Sequence, residues 1–369
     1  MHLHEAVGNT LEWLYGQAPD ELGAQAPQLA WQFEQAGLAE RAAAYHLQAG
    51  KRAALLAAHE DAIDHLTRGL ALLEALPDSP ERARLKLDLH LAAVTPFSMA
   101  RGFWAPERIH ALEQAHQISQ YPALGGSPER IEVLAAMAYF ALWSAQPERT
   151  LEFGEQVLRL AERNQDQQHV LLAHSLLGCA LALRVELAKA RDHLDKALAG
   201  YDRRSHSLPN VMLGIHVDVM SLGLQATASW LLGYPDQASR YLEEALVAAR
   251  DSNHAGTLGF VQSVSSILLF LLGRDPEAAR QQVEALRLLS KKGLPLEAWA
   301  GSLSSWGPAS NGRDETVLQR MRQGNETFRA QGTGIGCGAQ FLHLARGYAL
   351  AGQVNVGLDT LKEALDWIR

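Results

Sequence analysis

One spacing of small and large apolar residues recurs along this chain and constrains its fold more than any other feature. A small residue is followed by a second small residue 12 positions later, a large apolar residue 4 positions after that, and a third small residue 3 positions further on. The full copies are Gly178, Ala190, Leu194 and Ala197; Ala226, Ala238, Leu242 and Ala245; and Ala345, Gly357, Leu361 and Ala364. Small side chains let two helices approach closely, and the large one fills the gap to the next pair. The spacing therefore predicts a repeated helix pair.

Weaker copies extend the pattern over most of the chain. They are Ala62, Leu66 and Gly69, which match the second-helix half; Thr150 and Val157, with Gly154 at the large position; and Ala278 and Ala285, with Gln282 at the large position. Equivalent positions lie 40 to 48 residues apart, a longer period than the 34 residues usual in tetratricopeptide repeats. We therefore predict an all-α protein, a right-handed superhelical solenoid of about nine tetratricopeptide-like helix pairs. Further pairs are expected near residues 25–54, 80–120 and 294–331.

Glycines occur where this scheme needs turns. Gly37, Gly233, Gly273 and Gly352 are predicted to lie between the two helices of a pair, because glycine readily adopts the left-handed conformation that ends a helix. The helical pattern resumes directly after each turn, so we expect no linker between separate domains. The repeat array is predicted to cover residues 21–369, and residues 1–20 resemble the helical tail of a connecting region.

Composition narrows the possible partners. The formal net charge is −8 and the pI is near 6.0, whereas nucleic-acid-binding domains usually carry a basic patch, so direct nucleic-acid binding is not expected. The longest apolar stretch, Ile267 to Leu272, is much shorter than the ~20 residues that span a bilayer. The N-terminus does not resemble a signal peptide. We expect a cytoplasmic protein whose partner is a protein, a peptide or a small effector; the oligomeric state stays open.

No motif with catalytic or metal-binding chemistry is predicted. The segment Gly332–Ala339 contains G-x-G-x-x-A, but a predicted helix precedes it where a dinucleotide site needs a strand, so we interpret it as a turn. Cys179 falls on the buried stripe of a helix, and the histidines show no cluster at ligand spacing. We predict no catalytic residue, no cofactor and no metal. An enzyme whose site is assembled from several repeats is the less favoured alternative.

The candidate binding residues are large side chains on the first helices of the pairs, which line the concave groove in this kind of array. Aromatic and arginine side chains on a groove are good anchors for a ligand. The alternative interpretation is that these side chains fill space between repeats. The predicted groove residues are Tyr139, Trp143, Arg184, Thr227, Trp230, Trp299 and Trp306.

Two segments carry a family resemblance. The stretch from Leu29 to Leu91, with AWQFEQAGLAERAAAYHLQAGKRAA near its start, and the last unit, FRAQGTGIGCGAQFLHLARGYALAGQVNVGLDTLKEAL, resemble the C-terminal tetratricopeptide region of bacterial STAND-type signalling ATPases, which are often linked to cyclase or transcription-regulator modules. The phosphate loop G-x-x-x-x-G-K-[ST] of the ATPase module does not occur. The resemblance implies a signal-sensing regulatory segment that binds a partner or effector in its groove. The alternative is a stand-alone receptor for a small molecule or peptide.

Overall fold

The structure is a computed structural model that describes residues 2–124, 127–200, 215–252, 254–274, 281, 315–330 and 337–368. Within these residues it contains sixteen α-helices, one short 3-10 helix (Pro122–Leu124) and no strand, which confirms the all-α class. The helices are α1 (His2–Tyr15), α2 (Pro19–Gln35), α3 (Ala39–Leu55), α4 (His59–Glu74), α5 (Pro80–Arg101), α6 (Pro106–Ser119), α7 (Pro128–Trp143), α8 (Pro147–Arg163), α9 (Gln167–Leu183), α10 (Leu187–Ala199), α11 (Val217–Leu231), α12 (Pro235–Asp251), α13 (Ala255–Leu271), α14 (Glu315–Ala330), α15 (Cys337–Leu350) and α16 (Val354–Ile368).

The chain divides into two compact units, unit 1 at Met1–Val133 and unit 2 at Leu134–Arg369, and the division falls within α7. In unit 1, α1 packs directly on α2. A Cβ atom on Gly8 would lie only 2.6 Å from the ring of Phe33, and Leu11 packs against the same apolar cluster. The predicted boundary at residue 20, between the helical tail and the repeat array, does not concern these two units and stays a prediction.

The repeated spacing places its residues in the interfaces between paired helices. In the α9–α10 pair, a Cβ atom on Gly178 would lie 2.7 Å from Cγ of Leu194. In the α11–α12 pair, Ala226, Ala238 and Ala245 are completely buried. The small residues are thus needed because the helices approach too closely for larger side chains.

The repeated spacing extends to the helices near the N-terminus. Gly50 lies 12 residues before Ala62 and completes the spacing, and a Cβ atom on it would lie 2.6 Å from Cγ of Leu66. Helix α3 therefore approaches α4 as closely as α9 approaches α10. The helix pair expected near residues 25–54 corresponds to α2 and α3, which share one apolar cluster.

The weak copy in α8 has a local explanation. A Cβ atom on Gly154 would lie 3.0 Å from Cδ2 of Leu177 on α9. The side chain of Leu177 thus occupies the space that a large residue at position 154 would fill, which explains the departure from the pattern.

The four predicted turn glycines all have positive φ: 77° at Gly37, 85° at Gly233, 75° at Gly273 and 80° at Gly352. Four turns use other residues in the same conformation, and no sequence signal marks them. They are Ala57, Ala145, Gln165 and Val185, with φ between 51° and 59°. The copy at Ala278, Gln282 and Ala285, the motif at 332–336 and the first part of the 294–331 pair lie outside the described residues.

Candidate binding surfaces

Two of the predicted groove residues are part of the interior of unit 2. Tyr139 and Trp143 are 1% and 6% exposed, and the centroids of their rings lie 5.8 Å apart. The ring of Trp143 also meets that of Phe260 edge-on at 6.3 Å, which joins α7 to α13. Both side chains have a packing role here, as the alternative interpretation expects of them.

The other predicted residues have varied surroundings. Arg184 is exposed and forms an ion pair with Glu186 at 3.0 Å. The Thr227 hydroxyl donates to the carbonyl of Gly223 at 3.1 Å, and Trp230 is partly buried against the apolar cluster that contains Ala226. Trp299 and Trp306 lie outside the described residues. The groove role of this set stays a prediction.

A large open cavity lies in unit 1, where sequence reasoning did not place a site. We call it the trough. It has a volume of about 930 Å³ and is formed by α4, α5, α6 and the turns beside them. Its residues are Thr67, Leu70, Ala71, Glu74, Asp78, Ser79, Pro80, Arg82, Ala83, Lys86, His90, Ala93, Phe97, Pro106, Glu107, His110, Ala111, Gln114, Ile118 and Tyr121.

Helix α5 contributes the longest row of side chains to the trough. Arg82, Lys86, His90, Ala93 and Phe97 recur every three or four residues, so they share one face of the helix. At 1.5 Å per residue, this row extends over about 22 Å. The N-terminal half of the row is basic and the C-terminal half is apolar.

The start of this row is held rigidly. The Ser79 hydroxyl caps α5 by accepting a hydrogen bond from the Arg82 amide at 3.1 Å. The Arg82 guanidinium donates to the carbonyl of Leu76 and to Asp78 Oδ1, the latter at 3.1 Å. These bonds fix the wall of the trough at the turn between α4 and α5.

The polar groups of the trough leave room for an acidic ligand. Asp78 pairs with Arg82, and Glu107 pairs with Arg101 at 2.7 Å, so two of the three acids in the lining are occupied. None of the ion pairs in the described part of the chain involves Lys86. A ligand carboxylate could therefore pair with this ammonium group.

His90 lies beside Lys86 and has a strongly perturbed environment. Burial, with smaller contributions from His110 and Lys86, lowers the pKa of His90 to about 4, so the imidazole is neutral at pH 7. Its Nδ1 atom is buried and has no hydrogen-bond partner among the described residues. The ring thus places a neutral polar group beside the Lys86 ammonium.

A second, smaller cavity of about 460 Å³ lies between α2, α3 and α4, and a pair of histidines lines it. His46 Nδ1 and His65 Nδ1 are 3.0 Å apart. Burial is the largest cause that lowers the pKa of each imidazole. An equivalent pair occurs in unit 2, where His174 Nδ1 and His193 Nδ1 are also 3.0 Å apart.

The histidine pairs are a repeated feature that a search for short-range ligand spacing misses. The two histidines of each pair are 19 residues apart in sequence. In each pair the first histidine lies four positions before the glycine of the repeated spacing, Gly50 or Gly178. The recurrence of the 19-residue interval at the same register was the available signal. Only the pairing of α3 with α4 and of α9 with α10 shows that the side chains meet.

Three further features of the described residues concern a nucleophile, a metal site and a membrane span. Cys179 is buried, and burial raises the pKa of its thiol to about 12, which suppresses the thiolate that a nucleophile needs. In the described ranges no three His, Cys, Asp or Glu side chains are grouped to hold a metal ion. No helix in those ranges is both long enough and apolar enough to cross a membrane.

The sequence matches no protein-family model and no curated protein, so the informative comparisons are structural. A Rap protein complexed with competence and sporulation factor superposes with a TM-score of 0.69 and 11% identity, over 100% of this chain and 99% of that chain. Aspartyl phosphate phosphatase F from Bacillus subtilis gives a TM-score of 0.58 and 12% identity, over 98% and 94% of the two chains. A STAND protein with a tetratricopeptide repeat sensor from Pyrococcus horikoshii gives 0.44 and 14%, over 92% and 52%.

The first two similarities, together with the helix pairs, define the class of this protein: an all-α repeat protein built from tetratricopeptide-like helix pairs. At these identities the likeness concerns the fold, and function has to be argued from the surfaces.

Proposed function

We propose that this chain is a protein-interaction module that binds a peptide or a segment of a protein partner, and that it has no catalytic activity of its own. The trough in unit 1 carries the proposal. Its volume of about 930 Å³ is at the upper end of the ~300–1,000 Å³ typical of ligand sites. The row of α5 side chains along it extends over about 22 Å, long enough for a helical or extended segment.

The chemistry of the floor suggests which segment fits. The Lys86 ammonium at one end favours an acidic side chain or a terminal carboxylate. At the other end the lining is apolar, with Ala93 and the edge of Phe97, which is 7% exposed, and favours apolar side chains. An amphipathic helix of about 15 residues would match the 22 Å row at 1.5 Å per residue. The fold class supports the same proposal, because stacked helix pairs create extended binding surfaces.

The proposal is tested by selecting 16-residue peptides from a displayed library on the full chain and measuring their affinity by fluorescence anisotropy. Ala71, an exposed residue of the trough wall on α4, is changed to Trp to fill the trough. Ala71→Trp should weaken the selected peptides at least tenfold. Ala100→Trp is the matched control, because Ala100 is exposed on α5 and does not line the trough.

Two outcomes would refute the trough as the binding site. One is that no peptide is selected; the other is that Ala71→Trp binds the selected peptides as tightly as Ala100→Trp does. Lys86→Glu adds a chemical check, because it should weaken acidic peptides more than neutral ones. Circular dichroism of each variant shows whether the fold is intact.

A finer proposal is that this module is the regulatory segment of a STAND-type regulator. The resemblance of residues 29–91 and of the last repeat supports it. It predicts that a phosphate-loop ATPase module is encoded directly upstream in the same reading frame or as a neighbouring gene, which genomic sequence around the coding region would decide. A stand-alone receptor is the alternative, and in it the trough peptide would act without an ATPase.

A further inference from the structure

We propose that His46 and His65 form a binding site for one late first-row transition-metal ion of the Zn²⁺ type, held between their two Nδ1 atoms. This site is distinct from the trough and does not depend on the proposed function. It joins the two helices of a repeat pair, α3 and α4.

The distance between the two nitrogens nearly matches that of a metal-bound pair. His46 Nδ1 and His65 Nδ1 are 3.0 Å apart. With Zn–N bonds of 2.0–2.1 Å and a tetrahedral angle, two ligand nitrogens lie about 3.4 Å apart. Opening the pair by a few tenths of an ångström would admit the ion. The neutral imidazole that holds the proton between the two Nδ1 atoms moves it to its own Nε2 atom by exchange with water, so that both Nδ1 lone pairs face the metal.

The Glu34 carboxylate supports His46 by contacting the ring nitrogen, Nε2, that would not bind the metal. His46 Nε2 lies 3.4 Å from Glu34 Oε2, and Glu34 is itself held by Arg68 through bonds of 2.8 and 2.9 Å. Metal-binding histidines commonly donate their other ring nitrogen to a carboxylate, which fixes the tautomer that leaves the first nitrogen free for the metal. This contact selects the Nδ1 lone pair of His46.

The cavity beside the pair supplies access and negative charge. It is open to solvent, and its lining includes the carboxylates of Asp61 and Asp64, which attract a cation. Arg52 and Arg68 also line it, and Arg68 is engaged by Glu34. Because no third protein ligand is preplaced in the described residues, water would complete the coordination.

The equivalent pair in unit 2 provides a natural control. His174 and His193 have the same 3.0 Å separation. Each pair also has one cation beside it, because in addition to burial Arg68 lowers the pKa of His46 and His65 as Lys196 lowers that of His174 and His193. The difference lies behind the first histidine: Glu34 lies 3.4 Å from His46 Nε2, whereas no carboxylate of the described residues forms a hydrogen bond or ion pair with His174. Without that support the second pair should be the weaker site for a metal.

The test uses the full chain carrying His2→Gln and His4→Gln, which removes the terminal histidines as competing ligands. Zn²⁺ is titrated calorimetrically at pH 7 into this background and into versions that also carry His65→Gln or His174→Gln. We expect one Zn²⁺ site in the background, at least tenfold weaker binding after His65→Gln, and unchanged binding after His174→Gln.

The proposal fails if the background shows no saturable Zn²⁺ site, if His65→Gln binds as well as the background, or if only His174→Gln loses the site. If His65→Gln does not fold by circular dichroism, Cu²⁺ bound to the background protein is measured by electron paramagnetic resonance. Hyperfine coupling to two imidazole nitrogens supports the pair, and coupling to none overturns it.

Discussion

Val185 adopts a backbone conformation that β-branched residues rarely tolerate. Its φ is 59°. Two backbone hydrogen bonds end α9 here: the Val185 amide donates to the carbonyl of Ala182, and the Glu186 amide donates to the carbonyl of Leu181 at 2.9 Å. This helix ending is normally made by glycine. The side chain is 71% exposed, so little packing offsets the strain.

Val185→Gly should therefore stabilise the protein. Relief of the left-handed strain of about 1–2 kcal/mol exceeds the added backbone entropy of glycine in the unfolded chain, about 0.5–1 kcal/mol. We expect a higher thermal midpoint. The converse change, Gly233→Val at φ 85°, should lower it. A thermal midpoint of Val185→Gly below that of the wild type would show that the left-handed conformation of Val185 is not strained.

The histidine pair in unit 2 should make stability depend on pH. The fold lowers the pKa of His174 from 6.5 to about 4, mainly by burial and then by His193 and Lys196. Between these values the unfolded chain binds more protons than the folded one, so stability falls as the pH decreases from about 6.5 towards 4.

Replacing the imidazole should reduce that dependence. Thermal midpoints measured from pH 7 to pH 4.5 should fall less steeply for His174→Gln than for the wild type. His2→Gln, a change at an exposed terminal residue, is the control and should reproduce the wild-type slope. Equal slopes in all three proteins would show that His174 does not contribute.

At the scale of the helix pair, glycine at the crossing point is a packing requirement. The Cβ of alanine at Gly178 would lie 2.7 Å from Leu194 Cγ and 3.1 Å from the Ala190 carbonyl oxygen. At Gly50 it would lie 2.6 Å from Leu66 Cγ. The same contact in two pairs indicates one shared geometry.

Gly50→Ala and Gly178→Ala should each lower the free energy of unfolding by about 1–3 kcal/mol, the usual effect of overpacking, although alanine is the better helix former. Gly23→Ala is the matched control, because only the flexible end of Arg52 lies near it, at 3.8 Å. That change should be neutral or stabilising by up to about 1 kcal/mol. Urea unfolding measures all three, and stabilisation of all three would contradict the close approach.

At the scale of the molecule, the contact between Trp143 and Phe260 connects helices that are far apart in sequence within unit 2. Both side chains are nearly buried, at 6% and 5% exposure, and their rings meet edge-on. Such a contact should make α7 and α13 unfold together.

A double-mutant cycle tests this coupling. Trp143→Ala should cost about 3–5 kcal/mol, and the cycle with Phe260→Leu should show a coupling of about 0.5–1.5 kcal/mol, as found for aromatic pairs. Chemical denaturation supplies the four free energies. Strict additivity would mean that the two rings do not stabilise each other.

The helix pairs could be predicted from the sequence because their determinant is local. A 12-residue interval between small residues indicates where two adjacent helices cross, and Gly233, Gly273 and Gly352 indicate the turns. Gly50, 12 residues before Ala62, shows the same interval in the α3–α4 pair. The turns at Ala57, Ala145 and Val185 were not marked because neighbouring bonds, not residue type, hold their conformation.

Sequence alone thus determined the all-α class and the repeated packing of small residues, since both follow from periodicity along one or two helices. Only the tertiary structure decided the surfaces. It buried Tyr139 and Trp143, opened the trough between α4, α5 and α6 and brought His46 to His65. The physical reason is that exposure and proximity depend on how successive helices are placed around one another, and that placement is the sum of many weak contacts spread along the chain.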